Sequence, residues 1–227
     1  ALKALDLPKN SEVLIPAMTY CSTAFSVFNA GLRPKLVDTE FLKPTICLKD
    51  LKKKISKKTK VILPVHLYGS TANLSGIKKL IGKKKIFLID DCAQAHGAYD
   101  DSVKSKLKKK IGSTTDISCF SLYPGKNLGA YGDAGIITTN NKKFYNKIRK
   151  LRNLGSEKKF IHDLIGMNSR LDSIQAIILN EKLKRLNLLN AKRKIIAKRY
   201  NDQIQNKKIR KINYSDSCVY HQYVILA

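Results

Sequence analysis

The sequence predicts an α/β fold whose mainly parallel central sheet is covered by helices on both faces. Three observations carry this. Short apolar runs bounded by turn residues recur from Glu12 to Thr139, helical spacing fills most of the intervals, and the runs are apolar throughout rather than alternating, as strands buried on both faces require.

Taken in order, Glu12 to Pro16, Pro34 to Val37, Val61 to Val65 and Ile86 to Ile89 read as short buried strands. Between them, Cys21 to Ala30, Leu48 to Ile55 and Leu74 to Ile81 carry helical spacing. Two further strand-like runs, Ile117 to Ser121 and Ala134 to Thr139, are joined by a loop rich in Gly and Pro rather than by a helix. Lys142 to Asn153 is amphipathic. Ser173 to about Tyr200 reads as a long lysine-rich helix with Ile174, Ile177, Ile178, Leu183, Leu186 and Leu189 on its apolar side. This pattern divides the chain into a large domain over 1–172, a connecting helix over 173–205 and the start of a smaller C-terminal domain over 206–227. The sequence starts at Ala1 and stops just after the apolar run Tyr223 to Leu226, which reads as a fragment with a strand cut short.

With 227 residues, 43% of them hydrophobic, the chain can bury one substantial core in one or two domains. No apolar run approaches the ~18 residues that span a bilayer, and no basic-then-apolar leader opens the sequence, so the expectation is a cytoplasmic protein without membrane contact. The five cysteines (Cys21, Cys47, Cys92, Cys119 and Cys218) are odd in number, widely spaced and without a C-x-x-C pair. They read as reduced thiols, and no metal site is expected. The formal charge of +27 raises nucleic acid as a partner, but it comes from 36 Lys against 8 Arg, with clusters at Lys52 to Lys54, Lys83 to Lys85 and Lys108 to Lys110. Phosphate and base recognition draws on the bidentate fork of Arg and on interleaved aromatics, so a solvated lysine surface is expected and nucleic acid is not.

Two stretches carry residues suited to chemistry. In Ile86 to Gly97 (IFLIDDCAQAHG) a strand ends in two carboxylates, at the place where parallel sheets collect ligands. Asp91 there suits a cofactor with a protonated ring nitrogen, such as pyridoxal phosphate, although capping of the next segment by Asp90 and Asp91 is an equal reading at this point. In Ser118 to Gly135 (SCFSLYPGKNLGAYGDAG) Lys126 is the lone lysine, with no charged neighbour before Asp133. A partly desolvated lysine loses its proton more easily and forms a Schiff base with an aldehyde; an ordinary exposed loop lysine is the alternative.

Together these stretches resemble the sugar aminotransferases of the DegT/DnrJ/EryC1/StrS family. Five matches run in order: EVLIPAMTY at Glu12 to Tyr20, PVHLYG at Pro64 to Gly69, DCAQAHGA at Asp91 to Ala98, SLYPGKNLG at Ser121 to Gly129 and GMNSRLDSIQA at Gly166 to Ala176. The resemblance implies a three-layer, aspartate-aminotransferase-like large domain with pyridoxal 5'-phosphate as cofactor. Lys126 would then be the Schiff-base lysine and proton shuttle, Asp91 the partner of the pyridinium nitrogen and Gln94 the partner of the ring hydroxyl. Tyr20 would stack on the ring, Ser121 would bind the cofactor phosphate, and Asn168 would reach the phosphate of the neighbouring subunit's cofactor, which implies a homodimer with shared active sites. Arg170 would bind the substrate diphosphate or pair with Asp172, and His96 and His66 would pack near the site, His96 close enough to meet substrate. The implied reaction is a ping-pong transfer of nitrogen from L-glutamate to a nucleotide-linked keto-sugar, feeding deoxyamino-sugar and surface glycan synthesis.

Tyr123 to Ala130 (YPGKNLGA), Gly155 to Lys159 (GSEKK) and Asn168 to Asp172 (NSRLD) look most like members that aminate the 3-keto position of dTDP-linked 6-deoxyhexoses; amination at a 4-keto position on a UDP or GDP carrier is the alternative. The dehydratase branch of the family has histidine in place of the lysine, and Lys126 argues against it. Family members usually carry a further N-terminal stretch with a small-residue loop that cradles the cofactor phosphate.

Overall fold

The computed structural model describes residues 1–102 and 109–227, so that Lys108 of the third lysine cluster lies outside the described residues. A six-stranded sheet of order β2-β1-β3-β4-β5-β6 forms the centre. Its strands are β1 (Glu12–Pro16), β2 (Arg33–Val37), β3 (Thr59–Ile62), β4 (Phe87–Asp91), β5 (Ile117–Ser121) and β6 (Gly135–Thr138). The first five are parallel, and β6 runs antiparallel to β5. That reversal follows from their connection, which lacks the crossover helix a parallel pair needs.

Helices α1 (Cys21–Asn29), α2 (Leu48–Lys54), α3 (Leu74–Ile81) and α4 (Lys142–Leu151) flank the sheet. Successive strand residues point to opposite faces, which is why adjacent apolar residues are both buried. Leu14 and Leu88 pack with Leu51, Leu74 and Ile77 of α2 and α3 on one face. Val13, Ile15, Ile89 and Ile117 pack with Val27 of α1 and with Phe144 and Ile148 of α4 on the other.

Two strand ends differ from expectation. β3 stops at Ile62 rather than Val65 because Pro64 has no amide hydrogen for the ladder. The chain nevertheless stays beside β4: Pro64 O accepts from Asp91 N at 2.9 Å, and His66 N donates to Asp91 O at 3.0 Å. β4 itself runs two residues beyond Ile89, so both carboxylates belong to the strand, with Asp90 opposite Ser118 and Asp91 opposite Cys119.

A small hairpin of β7 (Ser156–Lys158) and β8 (Ile161–His162) precedes the 31-residue helix α5 (Ser173–Gln203). The apolar side expected for α5 is corrected. Of the expected residues, Ile174, Ile177, Leu183 and Leu189 are exposed and Leu186 is buried as expected, on a line with Leu179, Asn190 and Ala197. The reason is geometric: the helix meets the sheet domain along a narrow seam, where Leu179 and Leu186, two turns apart, pack on Leu122, Leu128 and Ala130 of the β5–β6 loop. Beyond α5, β9 (Arg210–Lys211) pairs antiparallel with β10 (Ile225–Leu226). The segment between them returns to the sheet domain, where Cys218 and Val219 are buried and Val219 N donates to Gly69 O at 3.1 Å.

Candidate active site

The two carboxylates at the end of β4 face opposite ways and have different surroundings. Asp90 is fully buried and accepts from His66 Nε2 at 3.1 Å, Thr115 Oγ1 at 2.6 Å and Cys92 Sγ at 3.2 Å. His66 Nδ1 accepts from Ala72 N at 3.0 Å, so the ring proton sits on Nε2 and points at Asp90. Burial works against the charge of Asp90, yet the bonds from His66, Ser118 and Thr115 outweigh it and hold the carboxyl below its ordinary range. Burial and the adjacent Asp90 push the Cys92 thiol well up, so it stays protonated and donates. His66, Asp90 and Cys92 offer metal-type atoms within 4.8 Å of one another, but their bonds to one another make them a strut between β3, β4 and the following loop.

Asp91 opens instead onto a cavity of about 750 Å³. Its Oδ2 accepts from Thr23 Oγ1 at 2.9 Å, and its Oδ1 accepts from Ala93 N at 3.0 Å. Thr23 shares a further 2.9 Å bond with Thr19. These neutral donors fix the carboxylate without neutralising it, and burial raises its pKa above the ordinary value. Lys126 approaches from the β5–β6 loop, where burial lowers its pKa against the opposing pull of Asp91. That loop closes tightly on itself: Lys126 N donates to Tyr123 O at 2.9 Å, and a Cβ on Gly129 would lie 2.3 Å from Pro124 O, so only glycine fits there.

The remaining expected residues fall into two groups. Gln94 follows Asp91 by three residues, and Ser121 shares its cavity. The Gln94 side-chain oxygen accepts from Tyr68 N, which leaves its NH₂ to donate elsewhere. Ser121, at the end of β5, lines the same cavity as Asp91, and its Oγ accepts from Tyr123 N at 3.3 Å, leaving its proton free. His96 lies behind them, buried and tilted against Phe120 at 5.5 Å between ring centroids. Among the described residues neither of its ring nitrogens has a hydrogen-bond partner, and burial lowers its pKa to about 4, so the ring is neutral.

Tyr20, Asn168 and Arg170 lie at the periphery. Tyr20 is 71% exposed where it caps α1, three residues before Thr23. Asn168 is exposed and bridges Asn153, while its neighbours Met167 and Ser169 line the cavity below Asp91. Arg170 donates to Asn153 Oδ1 at 3.3 Å and lines a second cavity of about 740 Å³ with Ser121, Arg149 and Arg152.

Thr23, which bonds Asp91, and Asn127 with its partners Asn190 and His221 beside Lys126 escaped the sequence reading. Thr23 sits inside a helical pattern 68 residues from its carboxylate. Asn190 had one legible signal, an amide four residues after Leu186 on the line that turned out to be buried.

The whole of residues 1–227 matches the DegT/DnrJ/EryC1/StrS aminotransferase family. The chain is 39% identical over 204 residues to UDP-N-acetyl-3-dehydro-alpha-D-glucosamine 3-aminotransferase of Acidithiobacillus ferrooxidans, a match covering 90% of this chain and 54% of that protein. It is 38% identical over 226 residues to dTDP-3-amino-3,6-dideoxy-alpha-D-galactopyranose transaminase of Aneurinibacillus thermoaerophilus, covering 99% of this chain and 61% of that protein. Among solved structures, NtdA from Bacillus subtilis with bound cofactor PMP superposes with a TM-score of 0.89 at 32% identity, covering 99% of this chain and 51% of that one. The chain thus spans about half the length of the curated relatives it matches. With the α/β fold, the ordered motifs and the full-length match in agreement, the chain belongs to the DegT/DnrJ/EryC1/StrS aminotransferase family.

Proposed function

We propose that this chain carries the main residues of a pyridoxal-phosphate-dependent transfer of an amino group from L-glutamate to a nucleotide-linked keto-sugar, with a dTDP-linked 3-keto-6-deoxyhexose as the preferred acceptor. The observation that carries this reading is a desolvated Asp91, held at the carboxyl edge of the sheet by Thr23 and Ala93, within electrostatic reach of a partly buried Lys126. A carboxylate fixed by neutral donors and raised by burial suits a cationic N–H, and a protonated pyridine ring supplies one. Beside it, the free hydroxyl proton of Ser121 suits a phosphate oxygen, and the NH₂ of Gln94 suits a ring oxygen. When bound, pyridoxal phosphate supplies an electron sink for the carbanion that forms between proton removal and return.

The chain's own residues then divide the work. Asp91, held by Thr23 and Ala93, would keep the ring nitrogen protonated and so sustain electron withdrawal. Desolvation favours the neutral amine of Lys126, whose Nζ would move a proton between the donor carbon and the cofactor in the first half-reaction and between the cofactor and the sugar carbon in the second. Tyr20 offers an accessible aromatic face for stacking, and Asn168, exposed on its loop, suits contact with the cofactor phosphate of a second subunit in a homodimer. Arg170 lies beside the Ser121 end of the site, where a substrate diphosphate would be met. The names of both relatives specify the sugar 3-position, on UDP in one and dTDP in the other, so position is better supported than carrier.

The test incubates the full chain with pyridoxal phosphate, L-glutamate and the dTDP-3-keto sugar, and follows 2-oxoglutarate and the amino-sugar by mass spectrometry. Both products are expected, and Lys126→Ala should abolish them. Undiminished turnover in that variant would falsify the role of Lys126, and preference for a 4-keto or UDP-linked acceptor would overturn the substrate assignment.

A further inference from the structure

Helix α5 buries one amide in its interior. Asn190 is 5% exposed in the middle of a long helix, although asparagine is a poor helix former and a buried amide is costly unless bonded. Both ends of its amide are used. Nδ2 donates to His96 O at 2.8 Å, and Oδ1 accepts from Asn127 Nδ2 at 2.9 Å. Asn127 directly follows Lys126 and is itself buried. Its Nδ2 also donates to Val219 O at 3.1 Å, and its Oδ1 lies 3.1 Å from His221 Nδ1. The approach of α5 depends on Gly97, whose φ of +83° and missing Cβ leave room for Asn190; a Cβ there would stand 2.9 Å from Asn190 Nδ2.

One side chain therefore ties together two loops that are distant in sequence. One carries Lys126; the other carries Gln94 and His96 directly after Asp91. We infer that Asn190 is a positioning residue whose amide sets the register of the Lys126 loop against the Asp91 to His96 segment and thereby places the lysine nitrogen over the site. Asn190 reaches Lys126 only through Asn127, which separates this role from that of a catalytic residue. Replacing it with an apolar residue of similar volume leaves His96 O and Asn127 Nδ2 each one bond short, and the Asn127 side chain then keeps its bonds to Val219 and His221 alone.

The inference rests on the proposed role of Lys126, so its test has one arm that needs no cofactor. In the cofactor-free chain, the pH profile of Lys126 arylation by trinitrobenzenesulfonate is read from the mass of its peptide; the titratable groups around it are Asp91, His96 and His221. In Asn190→Leu the profile should move by about half a pH unit or more toward that of exposed lysines, because a slackened loop lets water reach the amine. In the loaded protein, kcat should fall about ten- to a hundredfold with KM for the sugar little changed, the signature of a displaced reacting group. An unchanged Lys126 profile with a lowered melting temperature would reduce Asn190 to a packing residue and overturn the inference. Should Asn190→Leu fail to fold, Asn127→Ser leaves α5 intact and is read instead; an unchanged profile there overturns it equally. If no transaminase activity is found in the unmodified protein, the proposed function fails while the Lys126 profile still decides this point.

Discussion

Asp90 and Asp91 are neighbours in sequence and belong to different parts of the molecule, because adjacent strand residues face opposite sides of a sheet. Asp90 is consumed by His66, Thr115 and Cys92, while Asp91 is held by Thr23 and Ala93 and left open to the cavity. The sequence allowed either to be a cap; what it could not show was the alternation of their partners, since Thr23 and Asp91 meet across 68 positions. Lys126 was legible for the opposite reason, as a lone lysine in a loop whose glycines mark a tight turn. His96 makes the clearest pH statement. Its folded pKa is depressed from 6.5 to about 4, so between these values the unfolded chain binds a proton that the folded chain refuses. Stability is therefore full above pH 6.5, falls as pH drops towards 4 and levels off below it, with a loss of about 3 kcal/mol from His96 at about 1.4 kcal/mol per unit. His221, also lowered to about 4, acts in the same direction over the same window. Urea midpoints at pH 7 and pH 4.5 should show this loss, and His96→Gln should reduce it; the same loss in the variant would place its origin elsewhere.

At the scale of elements, the strands and helices of the sheet domain were legible almost to their ends because each apolar run is bounded by turn residues. β3 ended early through Pro64, a backbone effect that apolarity conceals. Helix α5 misled for a different reason. Its apolar residues are distributed around the whole circumference, so periodicity could not choose the buried side; tertiary contact with Leu122, Leu128 and Ala130 chose it. Leu186→Ala should accordingly cost about 2–5 kcal/mol as it opens a cavity on this seam, whereas Leu183→Ala, exposed one turn earlier, should stay within about 0.5 kcal/mol. Denaturant titration of the two variants measures the difference, and the reverse ranking would overturn the buried line of Leu179, Leu186, Asn190 and Ala197.

For the whole molecule, the fold class was the most legible property, since a sheet covered on both faces writes itself as uninterrupted apolar strands. The assembly of the site was the least legible, because it depends on contacts between β4, the β5–β6 loop and α5 that no local pattern encodes. Among the described residues no helix is long and apolar enough to cross a membrane. The charge of +27 acts on the whole body through self-repulsion, which salt relieves as the screening length shrinks from about 30 Å at 0.01 M to about 8 Å at 0.15 M. The melting temperature should therefore rise by a few degrees between these ionic strengths, and a flat or falling response would mean that the surface ion pairs outweigh the repulsion. The backbone N–H and C=O of Asp91 are both bonded to the Pro64–His66 segment, and the next residue, Cys92, donates its N–H to Cys119 O of β5, while Lys126 is carried by a loop clasped by its own turn and by α5. Under the proposed function, this arrangement would mount the two key groups on supports of different origin: the acid is bolted to the sheet, whereas the lysine takes its place from a loop that α5 clasps, so a change on α5 would shift one partner and leave the other where it stands.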